Sequence, residues 1–209
     1  KNQNFINRVA TASALAIAIG LVPQAAHATG VTAGTLITNT ASATYTSGAA
    51  SGSVTSNTVS VKVDELLDVA VAGLTTTPLA TGATNAVLEY RLTNTGNGSE
   101  AYKITVDPAV AGNNFDAVVQ SIAIDSNGNG TYEPGTDAVL TSGSATPALA
   151  ADGQLKVFVI VSLPAGATDG QTSQVRLTAE AVTGTGTPGT SFAGQGQGGG
   201  KRLMFMQFP

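Results

Sequence analysis

The sequence predicts an all-β fold, and three observations carry that prediction. Thr, Ala, Gly, Ser, Val and Asn dominate the chain and only 11% of its 209 residues are charged; Thr and Val suit a pleated sheet, whereas Gly does not suit helices. Beyond residue 28 no window shows helical spacing of apolar residues, and short runs alternate apolar with polar instead, the period-two mark of half-buried strands. Clusters of Gly, Asn, Pro and Ser separate these runs and supply turns.

The clearest alternation lies in residues 85–107 (NAVLEYRLTNTGNGSEAYKITVD). Ala86, Leu88, Tyr90 and Leu92 share one parity, with Val87, Glu89, Arg91 and Thr93 on the other. The cluster Asn94-Thr95-Gly96-Asn97-Gly98-Ser99 follows, and Tyr102, Ile104 and Val106 then resume the pattern. Two alternating runs around a Gly/Asn turn predict a β-hairpin, with Tyr90 and Tyr102 turned inward. A lone hairpin is barely stable in water, so further strands must cover it.

Those strands are legible on both sides. Residues 34–63 (GTLITNTASATYTSGAASGSVTSNTVSVKV) read as a Thr-rich β-hairpin, with Ile37, Ala41, Ala43 and Tyr45 on one parity and Val59, Val61 and Val63 on its return. Asp64, Glu65 and Asp68 read as a solvated linker face. Strands are then expected at 67–74, at 118–125 with Ile122 and Ile124 inward, briefly at 138–141, at 155–163 and at 175–181. The 155–163 strand is apolar on both parities (Leu155, Val157, Val159, Val161 and Leu163; Phe158 and Ile160) and is expected centrally, covered on both sides. About seven short strands with turns between them predict a β-sandwich of immunoglobulin-like type, preceded by the Thr-rich hairpin; a barrel is the alternative.

Both ends read differently. Lys1 and Arg8, an apolar run at 9–22 and Ala26-His27-Ala28 form a secretory signal pattern over residues 1–28. The run is shorter than the roughly 20 residues of a spanning helix, and nothing after the leader is long and apolar enough to span a bilayer. The expected order is therefore signal peptide 1–28, hairpin segment 29–64, β-sandwich domain 65–183, Gly-rich linker 184–200 and tail 201–209. The tail (KRLMFMQFP) breaks with the preceding composition. It reads as a disordered, truncated or frame-shifted end, or as an anchoring or partner-binding peptide.

Composition removes several classes of function. The chain carries 9 basic and 13 acidic residues, and loss of Lys1 and Arg8 with the leader leaves 7 against 13; nothing here attracts nucleic acid or anionic lipid. There is no cysteine, and the one histidine, His27, lies in the leader. Beyond the leader, thiol chemistry, Ser–His–Asp catalysis and nearly every transition-metal site are excluded. No enzyme is expected.

One stretch carries chemistry. Residues 125–137 (DSNGNGTYEPGTD) place oxygen-bearing side chains at Asp125, Asn127 and Asn129, with Gly128 and Gly130 between and after them. The Thr131 carbonyl, Glu133 and Asp137 follow. A hard cation such as calcium takes six to eight oxygen ligands, and alternating D-x-N-x-N-G wraps oxygens around one. The first half resembles an EF-hand calcium loop; the second departs from it, with Thr136 where a bidentate Glu belongs and Asp137 one residue later. The alternative is a plain Asn/Gly turn. Asn97-Gly98-Ser99 also matches a glycosylation sequon.

The run Tyr90-Arg91-Leu92-Thr93-Asn94-Thr95-Gly96-Asn97, of pattern Y-x-L-x-N-T-G-N, resembles the "conserved repeat" Ig-like domains of bacterial cell-surface proteins, the family called domain of unknown function eleven. Residues 33–63, ending in SNTVSVKV and followed by Asp64-Glu65, resemble the region that precedes such domains in secreted proteins of Gram-negative bacteria. The resemblance implies an extracellular, cell-surface structural or adhesive module whose partners are other surface proteins or further copies of itself. Two alternatives accompany it: a self-assembling filament or surface-layer subunit in which residues 34–63 lend a strand to a neighbour, and a carbohydrate-binding module.

Overall fold

The structure is a computed structural model that describes residues 30–184 together with Ser191–Phe192 and Arg202–Met206. The expected leader, residues 1–28, lies outside the described residues, as does most of the expected linker. The described residues form strands and no helix, so the fold is all-β; none of them forms a helix long and apolar enough to cross a membrane.

Four strands come first: β1 (Leu36–Asn39), β2 (Ser42–Ser47), β3 (Ala50–Thr55) and β4 (Val59–Lys62). The body follows with β5 (Glu65–Gly73), β6 (Ala86–Asn94), β7 (Tyr102–Asp107), β8 (Val118–Ile124), β9 (Ala138–Leu140), β10 (Gln154–Ser162) and β11 (Arg176–Ala181). Two short strands, β12 (Ser191–Phe192) and β13 (Arg202–Met206), end it.

One sheet runs β12-β13-β5-β6-β10-β8-β9, and β7 pairs with β11 apart from it. Strand β10 lies antiparallel between β6 and β8, from Gln154 opposite Thr93 to Ser162 opposite Val118. The alternating residues of the large sheet turn one face inward: Leu67, Val69, Leu92, Ile122, Ile124, Val157, Val159 and Val161. They share a single core with Tyr102, Ile104, Leu177, Ala179 and Ala181 of β7 and β11. Two layers enclosing one core are consistent with a β-sandwich. Each fully buried aliphatic contributes roughly 1.5–3 kcal/mol. The segment 144–149 extends the smaller layer, through Ile104 N to Ser144 O (3.2 Å), Thr146 N to Tyr102 O (2.8 Å) and reciprocal Glu100–Leu149 bonds.

The expected hairpin at 85–107 does not form. Strand β6 pairs with β5 and β10, whereas β7 pairs with β11 in the other layer. The Asn/Gly cluster between them is a strap that carries the chain across. Asn94 is buried; its Nδ2 donates to the carbonyls of Gly98 (2.8 Å), Leu149 (2.9 Å) and Ala150 (3.1 Å), and its Oδ1 accepts from Gly96 N (3.0 Å). Gly96 is needed for space, because a Cβ there would lie 2.3 Å from the Leu66 carbonyl oxygen. Asn97 accepts from Leu66 N (2.7 Å) and donates to the carbonyls of Val31 and Asp64 (both 3.0 Å). Asn and Gly therefore serve here as side-chain brackets and a close approach, a use that composition cannot distinguish from a turn. The Asn97 amide of the sequon is consumed by these bonds.

Two further expectations are corrected. Glu65 is buried, and Asp64 and Asp68 are only partly exposed, so this cluster is not a solvated face. Arg202–Met206 is not disordered: it pairs in parallel with β5, from Arg202 opposite Glu65 to Met206 opposite Val69, and Ser191–Phe192 pairs with it in turn.

Residues 35–63 form a hairpin, as expected, but it stands off the body as a ribbon. Strand β1 pairs with β4 and β2 with β3. Between the two ladders, Thr40 and Ala41 face Ser56, Asn57 and Thr58, two residues against three, which is a β-bulge.

The strap predicts that Asn94→Ala costs about 2–3 kcal/mol in urea unfolding, because it strands buried backbone groups. Gly96→Ala should be destabilising as well, and a variant unfolding at the wild-type midpoint contradicts this account of the crossover. Tyr102 supplies a second prediction. It is wholly buried, and its hydroxyl donates to the Asp68 carbonyl oxygen at 3.1 Å. Desolvation, with Glu100, Asp68 and Glu65 nearby, raises its pKa above the ordinary phenol range. The folded state thus keeps a proton that the unfolded state releases near pH 10. The Tyr102 contribution to stability should be level below pH 10 and fall above it, and Tyr102→Phe should reduce the alkaline fall in unfolding measured against pH.

Candidate functional site

The antiparallel pair β8–β9 ends at Ile124 opposite Ala138, so residues 125–137 form its connecting loop. Gly128 (φ 74°) and Gly130 (φ 78°) take left-handed backbone, as their place in the D-x-N-x-N-G pattern requires. Asp125 caps the turn with both oxygens, Oδ1 accepting from Gly128 N and Oδ2 from Gly130 N, each at 2.7 Å. Asn127 Oδ1 accepts from Asn129 N (3.0 Å), and Asn129 Oδ1 from Thr131 N (2.8 Å). The Nδ2 groups of Asn127 and Asn129 donate to Glu133 Oε2 at 2.6 and 2.9 Å. Asp137 is buried and accepts from Ser126 N (3.1 Å) and Glu133 N (2.7 Å).

All six residues singled out in the sequence, Asp125, Asn127, Asn129, Thr131, Glu133 and Asp137, therefore belong to one hydrogen-bonded loop. Each carboxamide oxygen accepts one backbone N–H and retains a second lone pair. The donor set is all oxygen, with three carboxylates, and suits a hard cation. The same bonds also make a satisfied Asn/Gly turn. Among the described residues no cluster of three or more His, Cys, Asp or Glu side chains is arranged to hold a metal ion.

The loop also has a packing role. Strand β10 is apolar on both faces, and on the outer one Phe158 and Ile160 join Ala123 and Val87 in a second cluster. Tyr132 closes over it, its ring centroid 5.7 Å from that of Phe158. Lys156, on the same outer parity, donates from Nζ to the Gly130 carbonyl oxygen (2.5 Å) and pairs with Glu89 (2.7 Å), 5.6 Å from the Phe158 ring centroid. The register places Glu89 opposite Phe158, so Lys156 reaches it on the diagonal. Double-sided burial of β10 was readable in its composition; that Tyr132, Lys156 and Glu89 would supply the outer cover was not.

At the far end of the body a cavity of about 630 Å³ is lined in part by Leu88, Tyr90, Phe115, Val161, Leu163 and Val175. The Tyr90 hydroxyl donates across it to the Val175 carbonyl oxygen (2.7 Å). Its charged lining residues are Glu89, held by Lys156, and Asp169. Tyr90 and Tyr102 pack into the core as expected, and Tyr45 is exposed.

Tyr132→Ala should destabilise the body by about 1–3 kcal/mol, from loss of ring burial. Tyr132→Phe should stay within about 0.5 kcal/mol of wild type. Equal effects of the two substitutions on the urea midpoint contradict the covering role. Comparison of the chain with protein-family models, with curated proteins and with solved structures finds no match to any of them.

Proposed function

We propose that the chain is a non-enzymatic structural or adhesive module of a Gram-negative cell surface, exported by its leader, with an immunoglobulin-like β-sandwich stiffened by calcium at residues 125–137. The observation that carries this reading is the loop itself. Its oxygen-bearing side chains are joined in one network, and that network seats the aromatic ring covering the outer face of the central strand. Calcium held by Asp125, Asn127, Asn129, the Thr131 carbonyl, Glu133 and Asp137 would fix the cover from outside. Two carboxamides in place of carboxylates lower the charge of the site and tune it to the millimolar calcium of an extracellular setting. The lack of histidine beyond His27 and of any cysteine supports a binding or structural role over catalysis.

With a dissociation constant near 1 mM, about 10 mM calcium adds about 1.4 kcal/mol to the folded state. For a chain of this size that is a rise of about 3–6 °C in Tm. Asp125→Ala should remove most of the rise, and magnesium should not reproduce it. A melting curve that is the same in calcium and in chelator refutes the calcium reading.

A further inference from the structure

The cavity at the far end of the body is kept open by a glycine that the backbone does not require. The inward positions of β5 run Leu67, Val69, Val71 and then Gly73. Gly73 lines the cavity. It sits opposite Tyr90 in an unbroken register, and the ladder continues past it, with Leu74 N donating to the Glu89 carbonyl oxygen (2.8 Å). Its φ is not left-handed, and a Cβ added to it would meet none of the described residues within 4 Å. No turn, bulge or crowded backbone therefore calls for glycine here, and glycine weakens a strand. What remains is the other use of a strand glycine, room for a ligand to approach. A second observation lies elsewhere in the lining. The Ser173 hydroxyl is buried and has no hydrogen-bond partner, alone among the buried side-chain polar atoms of the described residues. Its neighbours are clamped, Thr172 N donating to Asn114 Oδ1 (2.9 Å) and Gln174 N to Asn113 Oδ1 (2.7 Å). A buried hydroxyl left unpartnered in a pinned segment costs stability unless something else binds it.

We propose that the cavity is a binding site for a small organic cation with an apolar body. Volume and lining set the body. About 630 Å³ falls within the range of small-molecule pockets. Leu88, Tyr90, Val161 and Val175 give it apolar walls, and exposed Thr75 and Thr168 add neutral polar groups. Charge selects the headgroup. No Lys or Arg is among the lining residues. Of the two acidic ones, Glu89 is paired with Lys156, which leaves Asp169, exposed at the mouth. Residues 63–184 hold thirteen acidic and four basic side chains, a net charge of −9. A field of that sign draws cations in and turns anions away. The cationic nitrogen pairs with Asp169, and the apolar body lies over Gly73 against Tyr90 and Val161. The Ser173 hydroxyl has no bond to break and turns to meet a polar atom of the ligand.

The inference does not rest on the calcium reading, and its test is run in chelator. The probes are naphthylethylamine, naphthylethanol and naphthylacetate, which share one ring system and differ in charge. The full chain is titrated with each and followed by amide chemical shifts. The amine should bind saturably, with a dissociation constant of about 1 mM or tighter for a probe of this size. Its shifts should group at residues 73–79, 88–90 and 167–175. The alcohol should bind roughly threefold more weakly, as loss of one exposed ion pair requires, and the acetate more weakly still. Asp169→Asn should bring the amine down to the alcohol. Gly73→Leu should abolish binding by filling the site, at a urea midpoint equal to or above wild type, since the strand loses a glycine. Ser173→Ala should weaken the amine roughly tenfold at an unchanged or higher midpoint, because it removes an unsatisfied hydroxyl. No saturable binding of the amine, acetate bound as tightly as amine, or binding that survives both Gly73→Leu and Ser173→Ala would each overturn the proposal.

Discussion

The burial of β10 on both faces is the constraint to which the rest of the structure answers. A strand carrying Val157, Val159 and Val161 on one side and Phe158 and Ile160 on the other cannot leave either side to water without forfeiting roughly 1.5–3 kcal/mol per exposed side chain. The inner side is met by β7 and β11, and this is why the chain must leave the large sheet after β6. The outer side is met by Val87 and Tyr132, with the Lys156 Nζ over the Phe158 ring. The crossover and the loop are thus two answers to one demand, and each is held by side-chain amides or carboxylates that satisfy backbone groups the sheets leave unpaired.

How far the sequence discloses this depends on the kind of signal. Alternation along 86–92, 102–106, 155–163 and 175–181 located strands and their inward faces, because pleating ties parity to burial. Pairing was less legible. Asn94, Gly96 and Asn97 have the composition of a hairpin turn, yet Asn94 brackets three carbonyls and Gly96 admits the Leu66 backbone. The resulting crossover depends on partners more than 50 residues away, at Leu149 and Ala150, which local pattern cannot contain. The acidic group at 64–68 misled for the same reason, since Glu65 is buried by its neighbours in space. The parallel pairing of Arg202–Met206 with β5 likewise joins segments that share no pattern.

The candidate site was legible to a different degree. The spacing of Asp125, Asn127, Asn129, Glu133 and Asp137 marked out a loop with its own internal bonding, because Asx side chains cap backbone N–H groups two or three residues on. The spacing did not disclose that the same loop packs on Phe158, because Tyr132 lies among polar residues and has no apolar periodicity around it. Chemistry and packing therefore converge on one loop, and a cation bound there would act on the whole outer face of the sheet.

The measurement that addresses this most directly is amide hydrogen exchange on the full chain, in calcium and in chelator. The account predicts that the amides of residues 157–161 exchange last, through global unfolding alone. Calcium should slow Gly128, Gly130 and the β10 amides by the same free energy. Exchange of β10 as early as that of the ribbon, or protection of the loop by calcium with no change in β10, would contradict it.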